Sequence, residues 1–298
     1  MLAHRPFATI DHEGSVVSGP MRHPRNLEQG AANSIHNDAV AQKLGMRGGT
    51  VAGNYHMEQF PPLLTTLLGP GWWQTGNLSL YFTYATTDGE GVQCFAERPP
   101  LDPTKYDVQI PVWIDHDSGQ RVAEGTAAVG APDTESALRE RIARAPAASD
   151  IRILEHLQVG DRVQDMSHKV ELPRYDSRME VIVEPLVEYT ADSPWGARVL
   201  PPSLMVDVMY AAQGGLLKQR DERYGVGLFG GIELQLYQGP MFLEREYDID
   251  IEVLAIGETP KTEYLWYESK AFAQNTGDPV AGMLMMLRFM KASSTLWR

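Results

Sequence analysis

Cysteine is almost absent from this chain, and a single thiol, Cys94, excludes an internal disulfide as a source of stability. Residues 1 to 20 hold no continuous apolar run of signal-peptide or membrane-spanning length. The expected address is therefore the reduced cytoplasm, and no membrane is expected as a partner. Positive charge is also short, with 26 Lys and Arg against 39 Asp and Glu, a net charge of −13. Such a field repels nucleic acid and anionic lipid alike, which leaves a small-molecule or carrier-borne substrate. The eight histidines show no paired spacing and no companion cysteines, and no Gly-rich phosphate fingerprint follows a strand. Neither a metal nor another cofactor is expected. Apolar bulk is what the chain does have: 43% hydrophobic composition over 298 residues supports one large domain or two of about 150 each.

Self-similarity favours two. The stretch 117–125 (Asp-Ser-Gly-Gln-Arg-Val-Ala-Glu-Gly) resembles 275–283 (Asn-Thr-Gly-Asp-Pro-Val-Ala-Gly-Met) at an offset of 158, a polar turn leading into a strand. Upstream, 51–59 parallels 200–208 at an offset of 149. Each of these small-residue or proline turns opens an apolar helix with a carboxylate at the same place, Glu58 and Asp207. Proline suits a first helical turn, where its missing N–H is not needed. After the first helix, residues 78–84, 106–114 and 121–129 are rich in β-branched and aromatic side chains. Residues 232–237, 247–253, 262–273 and 280–290 read alike after the second. The expectation is an α+β fold in tandem, a long helix and an antiparallel sheet twice over, with the two sheets joined edge to edge. Residues 134–145 alternate charge at helical spacing and Pro146 begins a linker-like stretch, so the halves divide near residue 150, as 1–150 and 151–298. Pro61 and Pro62 should kink the first helix or end it early.

The second helix is apolar on nearly every face and carries one charge, Asp207. A carboxylate buried there must be paired, protonated or placed at a ligand cavity. That makes Asp207 the leading functional candidate, with an arginine or backbone amides as the structural alternative. His36 lies in a polar loop, Ala31-Ala32-Asn33-Ser34-Ile35-His36-Asn37-Asp38, ahead of a Gly-rich turn that ends at Gly53.

These segments resemble the hotdog fold. Residues 33–36 and the stretch to Gly53 are similar to the signature of MaoC-like enoyl-CoA hydratases, Asp-x-Asn-Pro-x-His before a Gly-rich turn into the helix. Residues 200–217 are similar to the hotdog helix of β-hydroxyacyl carrier-protein dehydratases, whose catalytic glutamate falls on Asp207. The resemblance spans most of both halves and implies a double-hotdog hydratase or dehydratase. It also departs from the pattern: the hydratase aspartate falls on Ala31, its proline on Ser34, and the dehydratase histidine on or beside Ser193. Related dehydratases pair a histidine of one hotdog with a carboxylate on the helix of the other, which here implies a composite site of His36 and Asp207.

The helix starts differ physically, because Pro201 and Pro202 have no N–H to offer whereas Gly53 does. The Gly53 amide at the positive end of a helix is the expected oxyanion donor. Asn33, Asp38, Tyr55, His56, Glu58 and Asp192 are candidates for lining the same cavity, Asp38 by orienting His36 and Glu58 as the pseudo-symmetric relic of Asp207. Trp72 and Trp73 read as packing residues and His116 as a solvated hairpin residue. The expected chemistry is reversible hydration of a 2-enoyl thioester, carried by coenzyme A or a carrier protein, with His36 and Asp207 exchanging the protons. A homodimer is allowed. Thioester hydrolysis through one helix carboxylate, or acyl binding without turnover, are the alternatives.

Overall fold

The computed structural model describes residues 10–11, 14–31, 34–100, 107–146, 148–182, 184–217 and 224–297. Eleven strands form one antiparallel sheet: β1 (Ile10–Asp11), β2 (Val16–Ser18), β3 (Asn77–Phe82), β4 (Val92–Glu97), β5 (Val108–His116), β6 (Arg121–Val129), β7 (Arg162–His168), β8 (Gly227–Leu236), β9 (Tyr247–Glu258), β10 (Thr262–Ala273) and β11 (Pro279–Met290). Their order is β1-β2-β4-β5-β6-β3-β8-β11-β10-β9-β7. The repeat is visible in it, since β3-β6-β5-β4 in one half and β8-β11-β10-β9 in the other follow the same path outward from the centre. Strand β3 meets β8 there, with Leu78 opposite Leu234 and Leu80 opposite Ile232. Pairing these strands removes two exposed sheet edges.

The helices are α1 (Asp38–Lys43), α2 (Gly53–His56), α3 (Phe60–Leu68), α4 (Trp72–Thr75), α5 (Ala137–Ala143), α6 (Leu172–Met179), α7 (Pro202–Ala211) and α8 (Gln213–Leu216). The first hotdog helix is built from α2, a 3₁₀ turn at Met57–Gln59 and α3. Of the two outcomes expected, a kink or an early end, the structure shows the kink: the 3₁₀ break falls just ahead of the prolines, which have no N–H for the Met57 and Glu58 carbonyls. Pro61 and Pro62 occupy the first turn of α3, where no N–H is required, and the helix then runs on to Leu68. The second hotdog helix, α7, buries Leu204, Met205, Val206, Val208 and Met209, so its apolar composition is spent on the concave face of the sheet. Trp72 and Trp73 are buried in the same core, Trp73 edge-on to Tyr189.

Helix α5 lies on the opposite face of the sheet. Its Leu138 is fully buried in a small second cluster with Tyr264, Trp266, Leu284 and Met286. The segment that follows is pinned rather than loose. Ser149 and Asp150 donate backbone N–H bonds to Glu258, and Arg152, Ile153 and Leu154 donate theirs to the buried Glu263 carboxylate. Among the described residues no helix is long and apolar enough to cross a membrane, and no group of three or more His, Cys, Asp or Glu is arranged to hold a metal ion.

Candidate active site

The two hotdog helices start side by side, and each carboxylate reaches across to the other half. Glu58 Oε1 accepts the Ser203 backbone N–H at the start of α7, at 2.8 Å. Asp207 Oδ1 accepts the Asn54 side-chain amide at the start of α2, at 3.1 Å. An N-terminal helical N–H lacks an intrahelical acceptor, so the Glu58 carboxylate satisfies an orphan donor across the pseudo-twofold.

Asp207 is not a lone buried charge. Its side chain is 24% exposed, and its Oδ2 meets Arg174 at 2.9 Å and Arg178 at 3.4 Å. Both arginines lie on α6, four residues apart and therefore on one helical face. Arg178 is 99% buried, donates also to the Ser203 hydroxyl, and lies 4.0 Å over the Tyr55 ring. The expectation of a carboxylate buried on all sides is thus corrected in favour of pairing with arginine. The sequence gives little sign of this, because α6 is a short polar helix with nothing to connect it to α7.

His36 is half-buried at the other end of this network. Its Nδ1 stands 2.7 Å from the Thr50 carbonyl oxygen, and its own carbonyl accepts from the Asn26 side chain. A carbonyl only accepts, so Nδ1 carries the hydrogen and Nε2 is left with the lone pair. Glu28 links Tyr55 to Asp207: its Oε1 accepts from the Tyr55 hydroxyl at 2.8 Å and from Arg174 at 3.4 Å, and Arg174 in turn holds Asp207. Burial works against the Glu28 carboxylate, but the Tyr55 hydroxyl, the Arg174 guanidinium and the nearby His36 ring outweigh it and hold its pKa below the ordinary value. Glu28 went unnoticed in the sequence, where it is one acid among 39.

Gly53 is the first residue of α2, whose start has no side-chain cap. A Cβ there would stand 2.9 Å from the Phe82 ring, so only glycine lets the helix start sit this close to β3. Gly49 is constrained in the same way, since a Cβ would meet the His36 carbonyl oxygen at 2.3 Å.

Several lining candidates go elsewhere. Asp38 accepts the Gly49 N–H at 2.7 Å and shapes that turn, while the His36 ring turns to Thr50; the expectation that Asp38 orients His36 is corrected. His56 is buried between Thr86 and Gln59, and burial pushes its pKa down to about 4. Its role is packing, as an imidazole with both nitrogens satisfied. Asp192 is exposed in a turn, with its backbone N–H on the Thr190 hydroxyl. Ser193 bonds the Ala197 carbonyl within the same turn. Asn33 lies outside the described residues. His116, expected to be solvated, has a side chain only 9% exposed, packed against Tyr84 and paired with Glu90 and Asp117.

Tyr55 and Glu58 do line a cavity, of about 40 Å³, together with Arg22, Gln59 and Arg178. The Glu58 residue keeps some exposed surface, yet its Oε2 is buried with no hydrogen-bond partner. The atom decides the chemistry here: burial pushes the Glu58 carboxyl up to about 7, against the Ser203 hydrogen bond and the Arg178 charge.

No family model matches the sequence, and no curated protein matches it. Solved structures do. A MaoC domain protein from Chloroflexus aurantiacus J-10-fl is similar with a TM-score of 0.59 at 13% identity, over 96% of this chain and 95% of its own. A conserved hypothetical protein from Mycobacterium tuberculosis, described as having a double hotdog fold, gives 0.59 at 11% identity, over 96% and 97%. A MaoC-like dehydratase gives 0.54 at 11% identity, over 93% and 98%. These likenesses agree with the strand order above: the chain has an α+β double hotdog fold.

Proposed function

We propose that this double hotdog is a hydro-lyase that interconverts 2-enoyl and 3-hydroxyacyl thioesters, with His36 as the proton carrier. The observation that carries the reading is the 2.7 Å contact of His36 Nδ1 with the Thr50 carbonyl, which fixes the ring and leaves Nε2 as the free base. In the dehydration direction Nε2 takes the C2 proton. The negative charge that develops on the thioester oxygen is met by the Gly53 N–H at the uncapped start of α2. The resulting imidazolium then gives its proton to the C3 hydroxyl as the C3–O bond breaks and water leaves. One proton is taken and one returned, so a single histidine balances the reaction.

Asp207 receives a different role from the acid expected of it. Its oxygens already accept from Asn54, Arg174 and Arg178, and we assign it the positioning of the α2 start against α6. The test is His36→Ala assayed with crotonyl-coenzyme A by loss of the conjugated absorbance. Turnover should fall by about a hundredfold or more with the fold intact. Unchanged hydration would remove His36 from the mechanism, and hydrolysis that survives without hydration would replace it with a thioesterase reading.

A further inference from the structure

The backbone identifies a second place equivalent to the His36 site. Thr50 N–H donates to the Ile35 carbonyl and Val199 N–H to the Glu188 carbonyl, each at 2.9 Å. The residue after each acceptor is His36 in one half and Tyr189 in the other, so Tyr189 holds the position for which the sequence comparison had offered Ser193. At the offset of 149 that relates Thr50 to Val199, Glu58 replaces Asp207 and Pro202 replaces Gly53. A proline has no N–H for an oxyanion and a phenol is a poor base, so this second place cannot repeat the chemistry of the first.

It is nevertheless not filled in. The cavity of about 40 Å³ is lined also by Pro24 and Ile182, and its volume is enough for a few water-sized groups. Glu58 Oε2, Gln59 Oε1, Arg178 Nε and the Tyr189 hydroxyl are all buried and bond to nothing among the described residues. Tyr189 is 4% exposed and close enough to Glu58 that, after burial, the carboxylate is the next cause holding its phenol pKa high. Buried polar atoms are rarely left unpaired, and three of these, Glu58 Oε2, Gln59 Oε1 and Arg178 Nε, belong to residues that line one cavity and ask for a partner from outside the chain.

We infer that this second place is a specificity pocket for the far end of the acyl group and takes an oxygen-bearing terminus, a hydroxyl or a carboxyl. The inference rests on the enoyl thioester reading above. Arg178 Nε–H can only donate and Gln59 Oε1 can only accept, so the group between them must do both. A hydroxyl does so, and a carboxyl does so when it shares a proton with Glu58. A methyl terminus does neither. Tyr55 joins the two places, because its hydroxyl bonds Glu28 beside His36 while its ring lines the cavity under Arg178.

The test uses the full chain with coenzyme A thioesters of 2-enoic acids of four, six and eight carbons, each ending in methyl, hydroxymethyl or carboxyl. At one of these lengths a polar-ended compound should exceed its methyl-ended counterpart in kcat/KM by about a hundredfold or more. Gln59→Met, which removes the unpartnered acceptor from the cavity lining, should cut that ratio about tenfold. Should this variant not fold, Tyr189→Phe removes the neighbouring unpartnered hydroxyl instead. Equal or better use of the methyl-ended compound at every length overturns the pocket and leaves the hydratase reading standing. If no compound is turned over, the hydratase reading falls, and calorimetric titration with the same compounds decides the pocket separately. Polar-ended binding tighter by about tenfold supports it, and equal binding overturns it.

Discussion

Glu58→Gln isolates one pH-dependent component of stability. In the unfolded chain the carboxyl titrates near 4.5, and in the folded one burial holds it near 7. Between these values the folded state keeps a proton that the unfolded state has released, so stability falls as pH rises through the window and is level above it. A displacement of that size carries at most about 3 kcal/mol, and the partial exposure of the residue brings the expected effect to roughly 1–3 kcal/mol. Glutamine keeps an oxygen for the Ser203 N–H and imitates the protonated acid, but it does not titrate. Urea unfolding followed by tryptophan fluorescence, run on both proteins from pH 4 to 9, gives the difference in stability at each pH. That difference should be smallest below about pH 4.5, climb in favour of the glutamine variant, and level off above about pH 7. A difference that stays constant across the range would mean that Glu58 titrates normally and that its Oε2 is not confined as described.

Asp207→Asn should loosen Arg174 and the buried Arg178 together, costing about 1–3 kcal/mol by urea titration and affecting KM as well as kcat, whereas a proton donor would lose kcat alone. Gly53→Ala forces the Phe82 ring away from a contact of 2.9 Å, so it should cost about 1–3 kcal/mol and lower kcat on crotonyl-coenzyme A more than it raises KM. Glu263→Gln removes the oxygen pair that accepts three successive backbone N–H groups and the Trp297 indole at 2.6 Å, and the urea midpoint should reflect a loss of about 3 kcal/mol.

Regular elements were legible where a long run of one residue class made them so. The β-branched and aromatic stretches at 121–129 and 262–273 coincide with β6 and β10 to the residue. Strand β4 was missed: its buried residues alternate, but Val-Gln-Cys-Phe-Ala-Glu is short and half of it lacks strand character. Strand β7 was missed because it is an edge strand with almost no buried face to leave a pattern.

The sequence by itself determined the tandem repeat, the apolar helices that each sheet wraps, the proline and glycine contrast between the helix starts, and the odd placement of Glu58 and Asp207. All of these are read within a few turns of chain, where hydrophobic period and backbone chemistry act locally. Only the tertiary structure decided which carboxylate is paired and which is forced up in pKa. Arg174 and Arg178 reach Asp207 from α6, Glu58 finds a single backbone N–H in the opposite half, and Tyr189 rather than Ser193 follows the carbonyl equivalent to that before His36. Charges and hydrogen bonds are settled by neighbours in space, and here those neighbours lie between 29 and 153 residues apart along the chain, beyond the reach of any local pattern.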